Sequence, residues 1–383
     1  MNRAHLIELD TTFAQRRFLV RACGVSRYTW NWALAQCEES YKLTGKTQNI
    51  SDLKKRWNQE KPEWVYDSPK DANQQPFSDL RMAYIRFFKG LGKCPVFKKK
   101  GESRGSFYLS NTVVKVTDTH VKIPLLGEIR LKEAPRFKGK LMSATVSLRA
   151  DRWFISLSYE LVSVKDQRPD NVIGVDLGVK TLATLSDGTK IENPRHLDRA
   201  IRRLKLAHRR VSRRNKGSRN RNRARKILAK IHLKVSNKRK DTIHKTTRLI
   251  VQKATIVVIE DLNVSGMTKN HSLARAISDC GFYEFRRQLE YKAKKVIVAD
   301  RFYPSSKLCS VCQTKNTNLK LSDREWRCVC GVLHDRDLNA ALNLKSLSGA
   351  TREITPVEIG VPCCKTRSRS LKQEPKRGVF LHN

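Results

Sequence analysis

The chain has 383 residues, of which 39% are hydrophobic; 78 Lys and Arg stand against 36 Asp and Glu, a formal charge of +42. That apolar content excludes a disordered polyelectrolyte and allows two or three domains with real cores. Charge of one sign at this level repels itself unless a polyanion is normally bound, which disfavours an ordinary soluble enzyme and points to nucleic acid. No stretch approaches the roughly 20 apolar residues of a spanning helix and no signal peptide precedes Asp10, so an intracellular, cytoplasmic protein is expected. Ten cysteines in such a chain read as metal ligands and plain thiols rather than disulfides.

The first hundred residues read as helical. Phe18, Ala22, Tyr28, Trp30, Trp32, Leu34 and Tyr41 form an aromatic-rich amphipathic stretch ending at Gly45, and Leu80, Met82, Ala83, Ile85, Phe87 and Phe88 form a second ending at Gly90. Pro62, Pro69 and Pro76 predict a loop between them. These aromatics read chiefly as core, with base stacking as the alternative.

From Cys94 to Leu161 the texture changes to short alternating runs: Val113 to Val116, Val121 to Leu126, Ile129 to Leu131, Ala144 to Leu148 and Trp153 to Leu161. The last two, joined by Arg149-Ala-Asp-Arg152, predict a hairpin within a small antiparallel sheet or barrel. Val162 to Asp170, polar and holding Pro169, reads as a linker.

A third region starts at Val172, with a strand to Leu177, a turn at Gly178, and a strand from Thr181 to Leu185. Between Asp198 and Asp241 there is no acidic residue and there are nineteen Lys and Arg. Leu197, Ile201, Leu204 and Val211 share one helical face, Asn215-Lys-Gly217 breaks it, and Ile227, Ile231 and Val235 resume the spacing, so a basic helical hairpin is expected. Arg202, Arg203, Arg209, Arg210, Arg213, Arg214, Lys216, Arg219, Arg221, Arg223 and Arg225 are its candidate nucleic-acid contacts. A strand from Thr255 to Ile259, a helix from about Leu273 to Lys295, a strand from Val296 to Ala299 and a helix from His334 to Leu347 follow. The tail from Ser348 has little periodicity and reads as poorly ordered.

Two of the apolar runs end in acids: Val172-Ile-Gly-Val-Asp176 and Ile256-Val-Val-Ile-Glu260. A carboxylate at a buried strand end is costly unless paired, hydrogen-bonded or bound to a cation. Asp337 opens the last helix, where an acid could simply serve the helix dipole. Together, acids from two strands and one helix match the RNase H-like arrangement around Mg²⁺ or Mn²⁺, ions that favour hard oxygen ligands and, in pairs, drive phosphodiester hydrolysis. Cys309-x2-Cys312-x15-Cys328-x-Cys330 is close to a zinc-ribbon pattern, with one residue in the second knuckle where two are usual. His334 is therefore an alternative to Cys330 as fourth ligand, and with four protein ligands the zinc would be structural.

Val172-Ile-Gly-Val-Asp-Leu-Gly-Val-Lys, Val258-Ile-Glu-Asp-Leu-Asn, Ile277-Ser-Asp-Cys-Gly-Phe-Tyr-Glu-Phe, Gln288-Leu-Glu-Tyr-Lys-Ala, Pro304-Ser-Ser-Lys-Leu-Cys-Ser-Val-Cys and Asp335-Arg-Asp-Leu-Asn-Ala-Ala-Leu-Asn together resemble TnpB. TnpB is the transposon-encoded nuclease family related to type V CRISPR effectors. The resemblance is dense from about 170 to 347 and thinner at Tyr28-Thr-Trp-Asn-Trp and Phe87-Phe-Lys-Gly-Leu-Gly. It implies an RNA-guided DNA endonuclease with a guide RNA, a double-stranded target bearing a short flanking motif, and a RuvC-type site at Asp176, Glu260 and Asp337, with Asp335 a neighbour. It also implies an α+β multidomain organisation: a wedge-type β-barrel (1–10 and 94–168) split by a helical recognition domain (11–93), a RuvC-like α/β nuclease domain (169–304 and 331–347) carrying the basic hairpin (197–252), an inserted zinc ribbon (305–330) and the tail (348–383). Guide pairing would supply sequence specificity and the hairpin would cradle the backbone. The alternatives from other classes are a catalytically idle nucleic-acid-binding regulator of transposition and an RNA-independent RuvC-like resolvase.

Overall fold

The computed structural model of the chain describes residues 2–162, 169–320 and 322–348. Most of the expected linker and all but the first residue of the expected tail lie outside the described residues, as do Cys363 and Cys364.

Thr12 converts the first strand into the first helix. Its hydroxyl accepts the Gln15 amide while the Gln15 side chain accepts the Thr12 amide, a capping box that closes β1 (Asn2–Asp10) and opens α1 (Phe13–Thr44). Leu19, Ala22, Val25, Ala33, Leu34 and Cys37 recur at helical spacing and are buried. Gly45, at φ 68°, ends the helix in the left-handed conformation that a Cβ disfavours. The expected proline-punctuated loop is partly wrong. It contains α2 (Ile50–Glu60), capped by Asn49, and Pro76 lies inside α3 (Lys70–Phe88). The missing N–H at Pro76 is outweighed by packing: Ala72, Pro76, Phe77 and Leu80 are buried, and Phe77 meets Trp32 and Trp57 edge-on or tilted.

The next strands are β2 (Ser106–Ser110), β3 (Lys115–Val116), β4 (His120–Ile123), β5 (Gly127–Leu131), β6 (Lys140–Arg149) and β7 (Arg152–Glu160). They form one antiparallel sheet in the order β2-β6-β7-β1-β5-β4-β3, with the opening strand at its centre. There His5 pairs with Leu157 and Ile7 with Ile155. The expected barrel is corrected to an open ladder: among the described residues β2 and β3 are its two edges and do not pair. β3 is only two residues long, and β2 is covered by α1 and α3, so the edge is protected without closure.

The second sheet has the order β10-β9-β8-β11-β12 and is built from β8 (Val172–Asp176), β9 (Thr181–Leu185), β10 (Lys190–Glu192), β11 (Ile256–Glu260) and β12 (Lys295–Ala299). β8, β11 and β12 are mutually parallel, whereas β9 runs antiparallel to β8 and β10 antiparallel to β9. The connection from β10 to β11 is the long pair α4 (His196–Ser212) and α5 (Arg219–Lys253). Between β11 and β12 come α6 (Val264–Met267), α7 (Ala274–Cys280) and α8 (Phe282–Lys292). The single helix expected from Leu273 to Lys295 is thus two, broken at Gly281. Its φ of 68° is left-handed, and a Cβ there would stand 3.0 Å from Ile243 Cδ1 and 3.2 Å from Arg239 Cδ of α5.

A two-stranded ribbon, β13 (Glu325–Arg327) with β14 (Leu333–Asp335), leads into α9 (Arg336–Ser346). α9 lies across β8, with further contacts to β9 and β11. Gly174 in mid-strand is the reason it can come so close, since a Cβ there would stand 2.6 Å from the Lys345 backbone nitrogen. No helix among the described residues is long and apolar enough to cross a membrane.

Candidate functional site

Asp176 and Glu260 are the last residues of adjacent parallel strands in a register that pairs Val175 with Ile259. Both therefore stand at the carboxyl edge, where open α/β sheets place their sites. α9 brings Asp337, in its first turn, to the same edge. All three side chains are half-buried. Burial, then the negative fields of Glu260 and Asp337, push the Asp176 carboxyl well above its ordinary range, with Arg336 and Arg324 opposing. Neighbouring carboxylates that disfavour one another's ionisation are a site for a cation.

Several contacts fix these acids. The Ser305 hydroxyl donates to Glu260 Oε1, and Arg324 Nη1 lies 3.6 Å from Asp337 Oδ1. Asp335 is occupied otherwise: its Oδ1 accepts the Leu338 amide at 3.0 Å as the N-cap of α9, and its Oδ2 accepts Lys190 Nζ at 2.6 Å. Burial raises the Asp335 carboxyl, but the bonds from Lys190 and the backbone outweigh it and leave it below its ordinary range. The two aspartates are thus divided between capping and the acidic edge.

The thiols sit directly behind α9. Cys309, Cys312, Cys328 and Cys330 place their sulfurs within 4.8 Å of one another, with Cys309 3.7 Å from Cys330 and Cys312 3.5 Å from Cys328. Tetrahedral zinc with Zn–S bonds of about 2.3 Å separates its sulfurs by about 3.8 Å, so the donor set fits that ion. Hydrogen bonding to Thr314 pulls the Cys312 thiol down to about 6. Of the two candidates for fourth ligand, Cys330 groups with the other three thiols, while buried His334 sets its Nε2 3.0 Å from Cys309 Sγ.

Asn339 and Asn343, one turn apart on α9, couple the two centres. Asn339 Nδ2 and Asn343 Nδ2 donate to the Leu308 carbonyl at 2.6 and 2.7 Å, Asn343 Nδ2 also donates to the Ser305 carbonyl, and Asn339 Oδ1 accepts the Ser310 amide. The loop that carries Ser305 and Cys309 is thereby clamped to the helix that carries Asp337. Sequence reading missed the roles of Ser305, Lys190, Arg324 and this asparagine pair. The signal was the i, i+4 spacing of two polar residues on an otherwise apolar helix face.

The basic hairpin is α4 and α5. Of its candidate contacts Arg202, Arg203, Arg209, Arg210, Arg213, Arg214, Lys216, Arg219, Arg223 and Arg225 are exposed and Arg221 is half-buried. Arg214 and Arg221 are partly engaged in building the turn: Arg214 Nη1 donates to the Asn220 carbonyl and Arg221 Nη1 to the Arg214 carbonyl. Arg203 lines a small cavity of about 110 Å³ with His196, Arg199, Lys234 and Lys238. The hairpin is braced at its base by buried Asp279, which accepts the Leu197 amide at 2.8 Å and Arg239 Nη2 at 3.2 Å.

A mixed sheet with carboxylates at its edge, a thiol cluster behind them and a basic hairpin beside them defines a class of nucleic-acid enzyme, and comparison places the chain within it. Residues 156–271 match the family described as a probable transposase, 282–344 the Cas12f1-like TNB domain, and 1–46 a helix-turn-helix domain. The last description does not suit the local structure, which is β1 followed by one uninterrupted helix of 32 residues. A putative RNA-guided DNA endonuclease of Streptomyces pristinaespiralis is 38% identical over 318 residues, covering 80% of this chain and 78% of that protein. The putative RNA-guided DNA endonuclease InsQ of Escherichia coli K12 is 31% identical over 381 residues, covering 93% and 92%. Among solved structures, CasPhi-2 bound to crRNA is similar at a TM-score of 0.42 and 10% identity, covering 91% of this chain and 98% of that one. The chain belongs to the TnpB family of transposon-encoded RNA-guided DNA endonucleases.

Proposed function

We propose that this chain cuts double-stranded DNA, chosen by a bound guide RNA and lying next to a short flanking motif, by divalent-metal-dependent hydrolysis at Asp176, Glu260 and Asp337. The observation that supports this most is the convergence of Asp176, Glu260 and Asp337 at the carboxyl edge of the parallel strands, close enough that the other two acids disfavour ionisation of Asp176. The donors are hard oxygens, which suit Mg²⁺ or Mn²⁺. When bound, such ions activate water and stabilise the leaving oxygen of a phosphodiester. The residues of the chain do the positioning. Asp176 and Glu260 present their carboxylates from rigid strand ends, Ser305 fixes the Glu260 rotamer, and Asp335 caps α9 so that Asp337 stays at the edge.

In this reading the five-stranded sheet with α9 is a RuvC-like, RNase H-like nuclease domain (169–304 and 331–347). Cys309, Cys312, Cys328 and Cys330 hold a structural Zn²⁺ within a ribbon (305–330) that braces the active-site helix. The antiparallel sheet (1–10 and 94–168) and the helical segment (11–93) act as wedge and recognition parts. The basic hairpin (197–252) holds nucleic-acid backbone, and the protein works inside the cell.

The deciding experiment purifies the protein with its RNA, sequences that RNA, and supplies duplex DNA of matching sequence with a randomised flank. Cleavage in Mg²⁺ that stops with EDTA and follows the RNA sequence is expected. No defined RNA species, or cutting indifferent to it, would move the chain to a resolvase; binding without cutting would make it an idle regulator.

A further inference from the structure

β12 runs parallel to β11, so its last residue, Ala299, lies beside Glu260. The chain then makes a tight turn. Asp300 Oδ1 accepts the Phe302 amide at 2.8 Å, the Asp300 carbonyl accepts the Tyr303 amide at 3.1 Å, and the Tyr303 carbonyl accepts the Ser305 amide at 2.8 Å. Tyr303 packs inward against Val258 and Leu344, and Ser305 donates to Glu260. Phe302, between these anchored residues, is 86% exposed. Its ring is held in solvent by a turn whose other end grips an acid of the site.

A second exposed ring is carried by α8, which an ion pair ties to the same strand end. The Asp261 carboxylate accepts Arg286 Nη1 at 2.9 Å and Arg301 Nη2 at 2.5 Å, fixing one guanidinium from α8 and one from the turn. Tyr283 precedes Arg286 by one helical turn and is 74% exposed. Directly after Glu260, therefore, two guanidinium groups share the Asp261 carboxylate; Phe302 follows one of them in the chain, and Tyr283 stands one helical turn before the other on α8.

We propose that Phe302 and Tyr283 are a stacking platform for unpaired bases of the DNA strand whose phosphodiester reaches Asp176, Glu260 and Asp337. The inference rests on the nuclease reading above. Exposed rings interleaved with fixed cations are how proteins hold single strands without reading their sequence, because every base offers a π-face and every nucleotide a phosphate. Bases inside a duplex have both faces covered by their neighbours, so the rings select a strand that has been opened. Phe302 would thus be a positioning residue, setting which phosphate meets the carboxylates.

The test has two arms. In the first, oligothymidine strands carrying a single 2-aminopurine are bound to the full-length protein in Ca²⁺, and the fluorescence quench is compared between wild type, Phe302→Ala, Phe302→Trp, Phe302→Leu and the Phe302→Ala/Tyr283→Ala pair. A ring-dependent quench is expected, lost in the alanine and leucine variants and restored by tryptophan, with thermal midpoints unchanged because both rings are exposed. Equal quench in the double alanine variant would overturn the platform. In the second arm the protein with its retained RNA cuts matching DNA. Phe302→Ala should raise KM roughly tenfold and scatter the cut positions, whereas leucine performing as well as phenylalanine would again count against stacking. Absence of any wild-type cleavage would remove the nuclease reading, and the quench arm would still decide the stacking.

Discussion

Gly174 and Lys345 are separated by so little that a Cβ on the glycine would stand 2.6 Å from the lysine backbone nitrogen, and closer still to the Ala341 carbonyl. The contact decides where Asp337 goes, because α9 can reach the edge occupied by Asp176 only by lying flat on β8. Gly174→Ala should push the helix off the strand and lower stability by about 1–3 kcal/mol. Cleavage should fall by more than the folded fraction does, since the helix is displaced rather than lost. Urea unfolding with single-turnover cleavage would show this; a variant with wild-type stability and rate would mean that α9 does not bear on the strand this way.

Alanine at Asp176, Glu260 or Asp337 should reduce cleavage to background while RNA and DNA binding persist, because the proposed function assigns affinity to the basic surface and chemistry to the acids. Asp335→Ala should behave differently. It removes a cap and the bond to Lys190, costing about 1 kcal/mol, and should slow cutting without abolishing it. The assignment of the two aspartates fails if Asp337→Ala cuts normally in Mg²⁺ and Asp335→Ala does not.

One zinc per chain is expected in protein purified without added metal. Cys330→Ser should lose the ion or bind it far more weakly. His334→Ala should retain it with weakened affinity, as its imidazole meets Cys309 sulfur rather than completing the set. Elemental analysis of the two variants side by side reads the difference directly. Metal retained by Cys330→Ser and lost by His334→Ala would reverse the order.

How far these sites could be read in advance depended on whether the cause was local. The apolar runs before Asp176 and Glu260 announce strand ends because burial and alternation are written in consecutive residues. The helical hairpin was equally legible from its apolar spacing. Pro76 misled, since a proline in an exposed stretch would end a helix but here sits among Ala72, Phe77 and Leu80 against other elements. Gly281 was passed over because the close approach that crowds a Cβ there comes from Arg239 and Ile243, some forty residues away. The clamps by Asn339 and Asn343, and the service of Ser305 to Glu260, are likewise contacts between segments that no local pattern reports.

Lys292 supplies a pH test of the packing beneath the hairpin. Burial, with Arg248 adding to it, lowers its ammonium to about 8, while its Nζ still donates to Thr247 Oγ1 at 2.6 Å and Gln288 Oε1 at 3.1 Å. A folded-state value below the unfolded one means that the native protein binds fewer protons between about 8 and the ordinary lysine range near 10.4. The stability of wild type relative to Lys292→Met should therefore be flat below pH 8 and rise toward pH 10. Denaturant midpoints for the pair across that window measure it; a difference independent of pH would show that the ammonium is not desolvated by folding.

The charge argument is tested on α4. Arg209 and Arg210 are exposed on its last turn and Arg213 is exposed at its C-cap, whereas Arg214 spends one donor on the Asn220 carbonyl and holds the hairpin turn. Replacing the first three by Gln should weaken nucleic-acid binding and flatten its salt dependence. Each lost phosphate contact lowers the log–log slope by roughly 0.9 on a duplex, so the triple variant should lose about 3 units if all three touch phosphates. Adding Arg214→Gln should change thermal stability more than slope. Target choice should stay fixed throughout, because backbone contacts position a nucleic acid without reading its sequence. A slope that does not move, or a shift in which sequences are cut, would show that the hairpin is not the backbone cradle and that the charge of the chain acts elsewhere.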